Sequence, residues 1–515
     1  MWYNYPIKTT RKLVTHLKKQ SSGNFWSVFS WAIFLVLVLT EGALLFWIGR
    51  LAMLPPLYFG ILIGLCVLVT LVLGLMLLRR PKGRWLKKKS FGRQITAGIL
   101  SILMIAGCLF GALAVSRLHG TISAITSVTK ITVLLEVYVP ASDPAQYIQD
   151  TAGYTYGIAD TTEAEDAEKI LTHLASLLHS PVEIIAYPNS FAMIDGLRAG
   201  EVDAIVLDSS YLSVLGSLEA YAGFANESKV LHEYMIEKIV PVAKPVEKEK
   251  SCFLVYISGN DARKALLADG GSDVNILAVV NPEAHQVLLV NTPRDYYVEN
   301  PAGDGARDKL SHCGLNGIQN CIEAMERLYG CEIDYYARIN FTGFKTLVDA
   351  VGGVTVHSDI AFKAGDYYIN KGENHLNGSQ ALAFARERKA LAGGDNDRGK
   401  NQMKLISALI DQLSASTLLA NYAQILEGLE GMFTTSIPAA TISRLVQNQL
   451  KDMSGWDVLT FAVTGDNGND TCWAVGGGYG YVMYPHEHMV AQASDLIARA
   501  LKGEVLTQED LAVGG

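Results

Sequence analysis

Three arginines and two aspartates follow an apolar run between Leu382 and Gln402, and their spacing is unusual for a helix. The stretch reads LAFARERKALAGGDNDRGKNQ. Arg386 and Arg388 are two positions apart, which places them on opposite sides of a helix but on one side of an extended chain. The spacing therefore predicts that the chain straightens here and directs both guanidinium groups one way.

A helix predicted over 399–413 brings two more polar groups to this region. Arg398 and Gln402 are four positions apart, and the apolar positions 406 and 409 continue their stripe inward. A helix N-terminus favours anions, and arginine adds bidentate donors suited to phosphate. The pattern therefore indicates an anion site that also includes Arg386 and Arg388.

The four side chains can meet only if the glycine pair at 393–394 turns the chain back, which glycine does at little cost. The alternative is a surface patch in which the arginines pair with Asp395, Asp397 and Glu387. Exposed pairs of this kind contribute only about 0 to 1 kcal/mol each.

Three predicted strands, at 252–258, 274–280 and 286–292, form a second source of polar groups. The last two are joined by NPEAH, a connection of hairpin length, so we expect an antiparallel meander. The strand ends carry four polar residues: Asp261, Asp273, Arg294 and Asp295. Carboxylates beside an arginine suit a hard cation that bridges to a phosphate. The alternative is that both leading aspartates are ordinary loop and strand-cap acids.

Helices are predicted at 315–329, 341–351, 377–385 and 399–413, with a strand at 354–358, which indicates a mixed α/β domain over 251–505 and a tail at 506–515. A proline-rich, charged linker at 241–250 separates it from a smaller α/β region at 118–240. There, GLRAGEVDAIVLDSSYL resembles a unit of extracytoplasmic solute-binding proteins. A scaffolding or partner-binding module is the reading we favour for this region.

Residues 1–117 contain three apolar stretches, at about 26–48, 57–78 and 95–115, each of the roughly 20 residues that cross a bilayer as a helix. Five Lys and Arg precede the first stretch, and eight lie between 79 and 93. The positive-inside rule therefore predicts a cytoplasmic N-terminus and an extracellular chain after Arg117.

The part of the chain after residue 117 is strongly acidic, with 50 Asp and Glu against 28 Lys and Arg. This balance argues against nucleic acid as a partner. Five cysteines lie in this part, where oxidation is allowed: Cys252, Cys313, Cys321, Cys331 and Cys472. The middle three bracket one predicted helix, so we expect one local disulfide.

Seven motifs resemble, in order and spacing, those of the LytR-CpsA-Psr family. They are GND ending at 261, GSD ending at 273, NTPRDYYVE, DKLSHCG, DYYARINFTGFKTLVDAVGGV, HLNGSQALAFARERK and GDNDRGKNQ. The resemblance is strong over residues 252–413 and weaker beyond. Three membrane helices and an accessory domain before the catalytic one are most similar to the capsule-associated branch of that family.

The resemblance implies an α-β-α sandwich with a mixed central sheet and a phosphotransferase on the outer face of the membrane. Such enzymes move a glycopolymer from an undecaprenyl-pyrophosphate carrier to peptidoglycan. Partners would then be the lipid-linked glycan, peptidoglycan, the membrane and synthesis proteins for capsule or wall polymer. A lipid of this length needs an apolar groove, and the helices at 315–329 and 341–351 are the expected lining.

Residue by residue, the resemblance implies that Asp261 and Asp273 engage Mg²⁺ or Mn²⁺. The groups implied to grip the pyrophosphate are Arg294, Arg386, Arg388, Arg398 and Gln402, with Lys309 and Asp395 as supporting polar groups. Gly271 and Asn401 stand where family members often have arginine. Two alternatives stay open: a pyrophosphatase or phosphodiesterase that uses water as acceptor, and a non-enzymatic sensor or scaffold for glycan synthesis.

Overall fold

The computed structural model describes residues 7–79, 84–127, 129–160, 162, 164–216, 218, 220–240, 250–260, 270–414, 425, 428–429 and 432–512. The chain divides into two units. One consists of Met1–Thr121 with Ala439–Asp452, and the other of Ile122–Pro438 with Met453–Gly515. The predicted linker lies, up to residue 249, outside the described residues.

The first unit contains three long helices, α1 (Ile7–Leu51), α2 (Pro56–Leu78) and α3 (Arg84–Ser127). Each includes a segment long and apolar enough to cross a membrane, as predicted. Proline begins α2, at a position where its missing N–H costs nothing. Glu41 of α1 is buried and accepts a hydrogen bond from the Thr70 hydroxyl of α2, so this carboxyl faces a neighbouring helix.

The smaller α/β region follows α3 and is built on one five-stranded sheet. Its elements are β1 (Thr129–Pro140), β2 (Thr155–Ala159), α4 (Ala164–Leu178), β3 (Glu183–Tyr187), α5 (Ser190–Ala199), β4 (Ala204–Asp208), α6 (Leu212–Leu215), α7 (Phe224–Glu227) and β5 (Ser228–Val240). The strand order is β3-β2-β4-β1-β5. Gly200 ends α5 in the left-handed conformation, which is why the sequence marks this helix end clearly.

The remaining elements belong to the larger α/β region, except that α13 (Ala439–Asp452) is part of the first unit. They are β6 (Phe253–Asn260), β7 (Val274–Asn281), β8 (Gln286–Asn291), β9 (Tyr297–Glu299), β10 (Arg307–Lys309), α8 (Leu310–Cys313), α9 (Ile318–Tyr329), β11 (Tyr335–Asn340), α10 (Phe341–Ala350), β12 (Val354–Ser358), β13 (Phe362–Ala364), β14 (Tyr367–Ile369), β15 (Gly372–Leu376), α11 (Gly378–Arg386), α12 (Asp395–Ser414), β16 (Phe433–Thr435), α13 (Ala439–Asp452), β17 (Asp457–Ala462), β18 (Gly465–Cys472), β19 (Gly478–Pro485) and α14 (Glu487–Leu501).

Six of these strands form a mixed sheet in the order β16-β11-β6-β7-β8-β17. β6, β7 and β8 are the predicted antiparallel meander. β11 runs parallel to β6, and β17 runs parallel to β8. The meander therefore occupies the centre of the sheet, and its strand ends lie side by side.

Helices cover both faces of this sheet. On one face, α9 and α14 pack with the sheet around a core that includes Leu254, Leu288 and Met325. On the other, α10, α11 and α12 enclose a second core that includes Leu405 and Phe384. The predicted α-β-α sandwich is confirmed.

The prediction of a local disulfide is wrong. All seven cysteines carry free thiols. Cys313 and Cys321 are separately buried in the core beneath α9, and burial raises the pKa of the Cys313 thiol well above its usual value. Flanking a helix brings cysteines near one another, but packing directs these thiols into an apolar interior instead.

One apolar cluster contains residues of both α/β regions. Tyr138 and Phe191 from the smaller region share it with Tyr297, Cys472 and Val482 from the larger one. The two regions are therefore joined by packing.

Candidate functional site

The ends of the central strands bring an arginine and a carboxylate into direct contact. Asp273 directly precedes β7, and Arg294 follows β8. The Arg294 Nη1 atom donates to Asp273 Oδ1 at 2.5 Å. Asp261, which was expected beside them, lies outside the described residues.

Asp295 extends this contact to a lysine. Its Oδ1 atom is 3.7 Å from Arg294 Nε and 3.7 Å from Lys309 Nζ. Both Asp295 and Lys309 are buried. Lys309 is thus linked to Arg294 through the Asp295 carboxylate.

The opening arginine stretch folds much as its spacing predicts, with one correction. Arg386 is the last residue of α11 rather than part of an extended segment, and the chain becomes extended at Glu387. Gly394 has a φ of +55°, so the glycine pair does turn the chain before α12. α12 begins at Asp395, one turn earlier than expected, because Asp395 and Asp397 favour the positive end of the helix.

Arg398 and Asp395 form an ion pair inside the protein. Their side chains are only 10% and 13% exposed, so the surface-patch interpretation is wrong for this pair. Burial raises the pKa of Asp395 above its usual value, while the positive charge of Arg398 opposes that rise. Burial likewise lowers the pKa of Arg398. Each charge therefore depends on the other for its stability in this position.

A glycine fixes the distance between α12 and the sheet. At Gly399, a Cβ atom would lie 2.1 Å from the Asn291 amide nitrogen at the end of β8. Only glycine lets the helix approach this closely. The close approach holds Arg398, the preceding residue, beside the strand ends.

Arg294, Asp273 and Arg398 line a groove of about 420 Å³ between the sheet and α10, α11 and α12. Its polar lining consists of Asp273, Arg294, Asn340, Arg386, Arg388, Arg398 and Gln402. Its apolar lining consists of Ile257, Val274, Ala337, Ile339, Phe341, Phe344, Leu347, Leu382, Ala385, Leu405, Ile406, Leu409 and Phe433. The predicted phosphate-gripping residues therefore lie together, and they border an apolar space.

The prediction that the helix at 315–329 lines this groove is wrong. α10 lines it as expected, but α9 packs on the opposite face of the sheet, and α11 and α12 complete the lining instead. An amphipathic pattern shows which side of a helix is apolar but not which face of a sheet it covers.

Two contacts orient the groups at the groove. The Arg386 guanidinium lies 4.7 Å from the centre of the Phe341 ring, within cation–π range. Gln402 Nε2 donates to the Ala385 carbonyl oxygen at 3.2 Å. These contacts tie α11 to both α10 and α12.

Sequence reasoning missed Arg338, which is only 2% exposed in β11. Its Nη2 atom donates to the Gly270 carbonyl oxygen at 3.1 Å, just before Asp273. The sequence did contain a signal for this residue, because an arginine stands in the middle of the strand YYARIN, where a buried charge requires a specific partner.

A second cluster of possible metal ligands lies away from the groove. Asp308, His312 and Cys472 place ligand atoms within 4.8 Å of one another. The carboxylate of Asp308 already accepts hydrogen bonds from His312 Nδ1 and from the backbone N–H groups of Lys309 and Ala474. This cluster is satisfied as a structural hydrogen-bond network.

The chain resembles known proteins over the region that contains the site. A family model described as the LytR_cpsA_psr family matches residues 221–493. A relative from Bacillus mycoides (strain KBAB4), a polyisoprenyl-teichoic acid–peptidoglycan teichoic acid transferase TagU, is 33% identical over 250 residues, which cover 46% of this chain and 77% of the relative. A TagU from Bacillus cereus (strain ATCC 14579) is 32% identical, covering 47% and 78%. The crystal structure of B. subtilis TagV is 26% identical, with a TM-score of 0.42, and covers 50% of this chain and 99% of that one.

Proposed function

Because the chain belongs to the LytR-CpsA-Psr family, we propose that it is a phosphotransferase that moves a glycan phosphate from an undecaprenyl-pyrophosphate carrier to peptidoglycan. Its relatives are transferases of polyisoprenyl-linked teichoic acid to peptidoglycan. The observation that carries the proposal is the groove whose lining combines apolar side chains with four arginines. That arrangement matches a ligand with a long hydrocarbon chain and an anionic head.

The apolar lining would hold the polyprenyl chain. Side chains from three helices and the sheet surround this space, and burial of hydrocarbon there gains about 25 cal/mol per Å². The pyrophosphate would lie where the lining becomes polar.

The charges at this end favour a pyrophosphate. Five basic side chains (Arg294, Lys309, Arg386, Arg388 and Arg398) face three carboxylates (Asp273, Asp295 and Asp395). The local balance is therefore positive, although the chain as a whole has a net charge of −8. Screening over about 8 Å at physiological salt makes the local balance the one that a bound anion experiences.

In the transfer step, an acceptor hydroxyl oxygen forms a bond to the glycan-bearing phosphorus. The bond from that phosphorus to the bridging oxygen breaks, and the lipid phosphate leaves with the electron pair. Arginines fixed by ion pairs stabilise the charge that develops on this leaving group. We assign the hydroxyl proton to Asp273, whose carboxylate lies at the groove. Unchanged turnover in Asp273→Asn would remove that assignment.

Mg²⁺ or Mn²⁺ is the proposed cofactor. The site fits a hard cation, because Asp273 offers carboxylate oxygen at the groove and its side chain is 21% exposed. Asp273 would hold the ion together with Asp261. When bound, such an ion neutralises phosphate charge.

The proposed location is a multi-pass membrane protein with its catalytic region on the extracellular face. The three apolar helices and the basic segments before the first helix and at 79–93 support this orientation. Membership of the capsule-associated branch, and contacts with capsule or wall-polymer synthesis proteins, belong to the same proposal.

The test uses the full chain in nanodiscs with a short lipid-pyrophosphate-linked sugar, a peptidoglycan oligomer and Mg²⁺, followed by mass spectrometry. We expect a phosphodiester-linked adduct that is lost in Arg386→Ala and in Asp273→Ala. Arg327→Ala serves as a control that keeps activity, because it disrupts two exposed ion pairs, with Glu299 and Glu323, that do not line the groove.

Two other outcomes would replace the proposal. Free phosphorylated glycan in the absence of acceptor would indicate a pyrophosphatase or phosphodiesterase. Tight lipid binding without any turnover, abolished by Arg386→Ala, would indicate a sensor or scaffold. Omission of the divalent ion tests the cofactor separately, because activity unchanged in chelator would exclude it.

A further inference from the structure

The ribbon formed by β18 and β19 presents two tyrosines on one side. Tyr479 and Tyr481 lie two positions apart in β19, so their side chains project from the same face. Tyr479 is 73% exposed and Tyr481 is 41% exposed. At about 3.4 Å per residue, the two rings are attached roughly 7 Å apart along the strand.

The residues opposite them are polar and uncharged. Asn469 pairs with Tyr481 across the ribbon, and Thr471 pairs with Tyr479. Asn467 accepts a hydrogen bond from the Tyr481 hydroxyl at 2.7 Å. All three are exposed. We call these five residues the tyrosine face.

The acidic residues of the ribbon are engaged elsewhere. Asp466 Oδ1 is 3.1 Å from His486 Nε2, and Asp470 accepts a hydrogen bond from the Tyr484 hydroxyl at 2.9 Å. The tyrosine face therefore contains no charged side chain, although the surrounding chain is strongly acidic.

The other face of the ribbon is already used for packing. Cys472 and Val482 are buried in the apolar cluster shared by the two α/β regions. Tyr297 donates from its hydroxyl to the Thr471 carbonyl oxygen at 2.8 Å. The ribbon is thus held firmly from behind, and exposure of the tyrosines is not a consequence of a loose hairpin.

The tyrosine face lies beside the candidate active site. Lys309 Nζ is 6.0 Å from the centre of the Tyr481 ring, and the same atom is 3.7 Å from Asp295, which neighbours Arg294. Burial raises the pKa of the Tyr481 hydroxyl, the negative charges of Asp295 and Asp395 add to that rise, and the positive charge of Arg388 opposes it. Neither tyrosine lines the apolar groove, so this surface lies outside the space assigned to the lipid.

We propose that the tyrosine face binds the sugar rings of the peptidoglycan acceptor. A sugar ring has C–H groups on its faces and hydroxyls at its edge. Tyrosine rings can stack on the former, while amide and hydroxyl side chains such as Asn469 and Thr471 can hydrogen-bond the latter. Two rings on one strand suit consecutive sugars of a glycan strand.

The acceptor is favoured over the sugar of the donor by the direction of attack. In a phosphoryl transfer, the attacking and leaving oxygens are roughly in line on opposite sides of the phosphorus. The lipid phosphate leaves toward the groove. The acceptor must therefore approach from outside the groove, where Lys309 and Tyr481 lie. This inference rests on the proposed function.

The experiment measures binding and kinetics of the full chain in nanodiscs. The probe is a soluble tetrasaccharide of peptidoglycan glycan strand, released from its peptides, and titrated calorimetrically without donor. We expect Tyr479→Ala to weaken binding by about 5- to 10-fold, because it removes one stacking ring. Tyr481→Phe, which keeps the ring, should bind nearly as the wild type does. Tyr147→Ala is the matched control, since Tyr147 is 70% exposed in the smaller α/β region.

Steady-state kinetics then show whether the tyrosine face binds the acceptor or the donor. Tyr479→Ala should raise KM for the acceptor while kcat and KM for the lipid-linked donor stay unchanged. A rise in donor KM instead would overturn the assignment to the acceptor, as would equal tetrasaccharide binding by wild type and Tyr479→Ala, or no binding by either. Tyrosine-dependent binding without any transfer would retain the glycan site and reject the proposed transferase.

Discussion

Both faces of the six-stranded sheet carry apolar side chains, but one face packs into a core and the other borders a groove. On the face covered by α9 and α14, residues such as Leu288 and Met325 are fully buried in an apolar core. On the face covered by α10, α11 and α12, about 420 Å³ stays open. Protein interiors normally pack to crystal-like density, so an open space lined by apolar groups forgoes stability.

The polar side chains of the two faces also differ in whether they find partners within the protein. On the filled face they satisfy one another: the Tyr256 hydroxyl donates to Asn275 at 2.6 Å, and the Tyr329 hydroxyl bonds with Thr292 at 2.8 Å. At the open face, positive charge exceeds negative charge. The comparison teaches that one side of the sheet is built for the protein's own stability and the other for a ligand.

Truncation on the filled face should cost the most stability. Leu288→Ala removes a side chain that is 1% exposed, and such changes usually cost about 2 to 5 kcal/mol of unfolding free energy. Urea unfolding in nanodiscs measures the loss. KM for the donor should not change at temperatures where the variant stays folded. A cost below about 1 kcal/mol would mean that this face is not tightly packed.

Removing the buried arginine of the open face should mainly cost activity. Arg398→Ala should lower kcat/KM by about 100- to 1,000-fold, because it deletes a fixed charge at the pyrophosphate. It also leaves Asp395 buried without its partner, so stability should fall as well.

A double variant separates these two effects. Arg398→Ala with Asp395→Asn should recover stability, because no uncompensated charge remains, but should not recover turnover. Recovery of both would show that the pair is structural and would weaken the contrast between the faces.

Truncation inside the groove should cost less stability than Leu288→Ala but change lipid selectivity. Ile406 is partly buried and already borders open space, so Ile406→Ala should cost under about 1.5 kcal/mol. The preference for long-chain over short-chain donors should drop by about 5- to 10-fold. Comparison of kcat/KM for the two donors gives the result, and an unchanged ratio would place the lipid elsewhere.

The smallest expected loss of kcat/KM is for a change of Arg386, whose guanidinium stacks on Phe341. Arg386→Lys keeps the charge but loses planar stacking on Phe341, which is worth about 0.5 to 1 kcal/mol at an exposed position. We expect a 2- to 5-fold loss of kcat/KM by the same assay, roughly what that energy corresponds to. A loss as large as that of Arg398→Ala would mean that Arg386 provides bidentate contacts to the ligand.

The sequence was most informative where local rules decide the structure. The meander follows from strand alternation and a short turn, and it necessarily places Asp273 and Arg294 at neighbouring strand ends. The turn at Gly394 and the convergence of Arg386 and Arg398 follow from glycine chemistry and helical spacing.

Long-range packing decided the rest. The side of the sheet that α9 covers depends on chain path, which its own pattern does not contain. The ion pair with Asp395 is buried only because Gly399 draws α12 against the sheet, so it resembled a surface pair in sequence. Tyr481 lies in the ribbon after β17, far along the chain from the arginines, and only the fold brings it near them.

Gly399 sets how closely α12 can approach the sheet. A Cβ atom there would meet the Asn291 side chain at 2.1 Å, so a larger residue at position 399 would displace either that side chain or α12. The loop from Glu387 to Gly394 carries Arg388, whereas Arg398 lies on the helix that Gly399 seats against the sheet. Changes in that loop would therefore move Arg388 at the groove while leaving Arg398 in place.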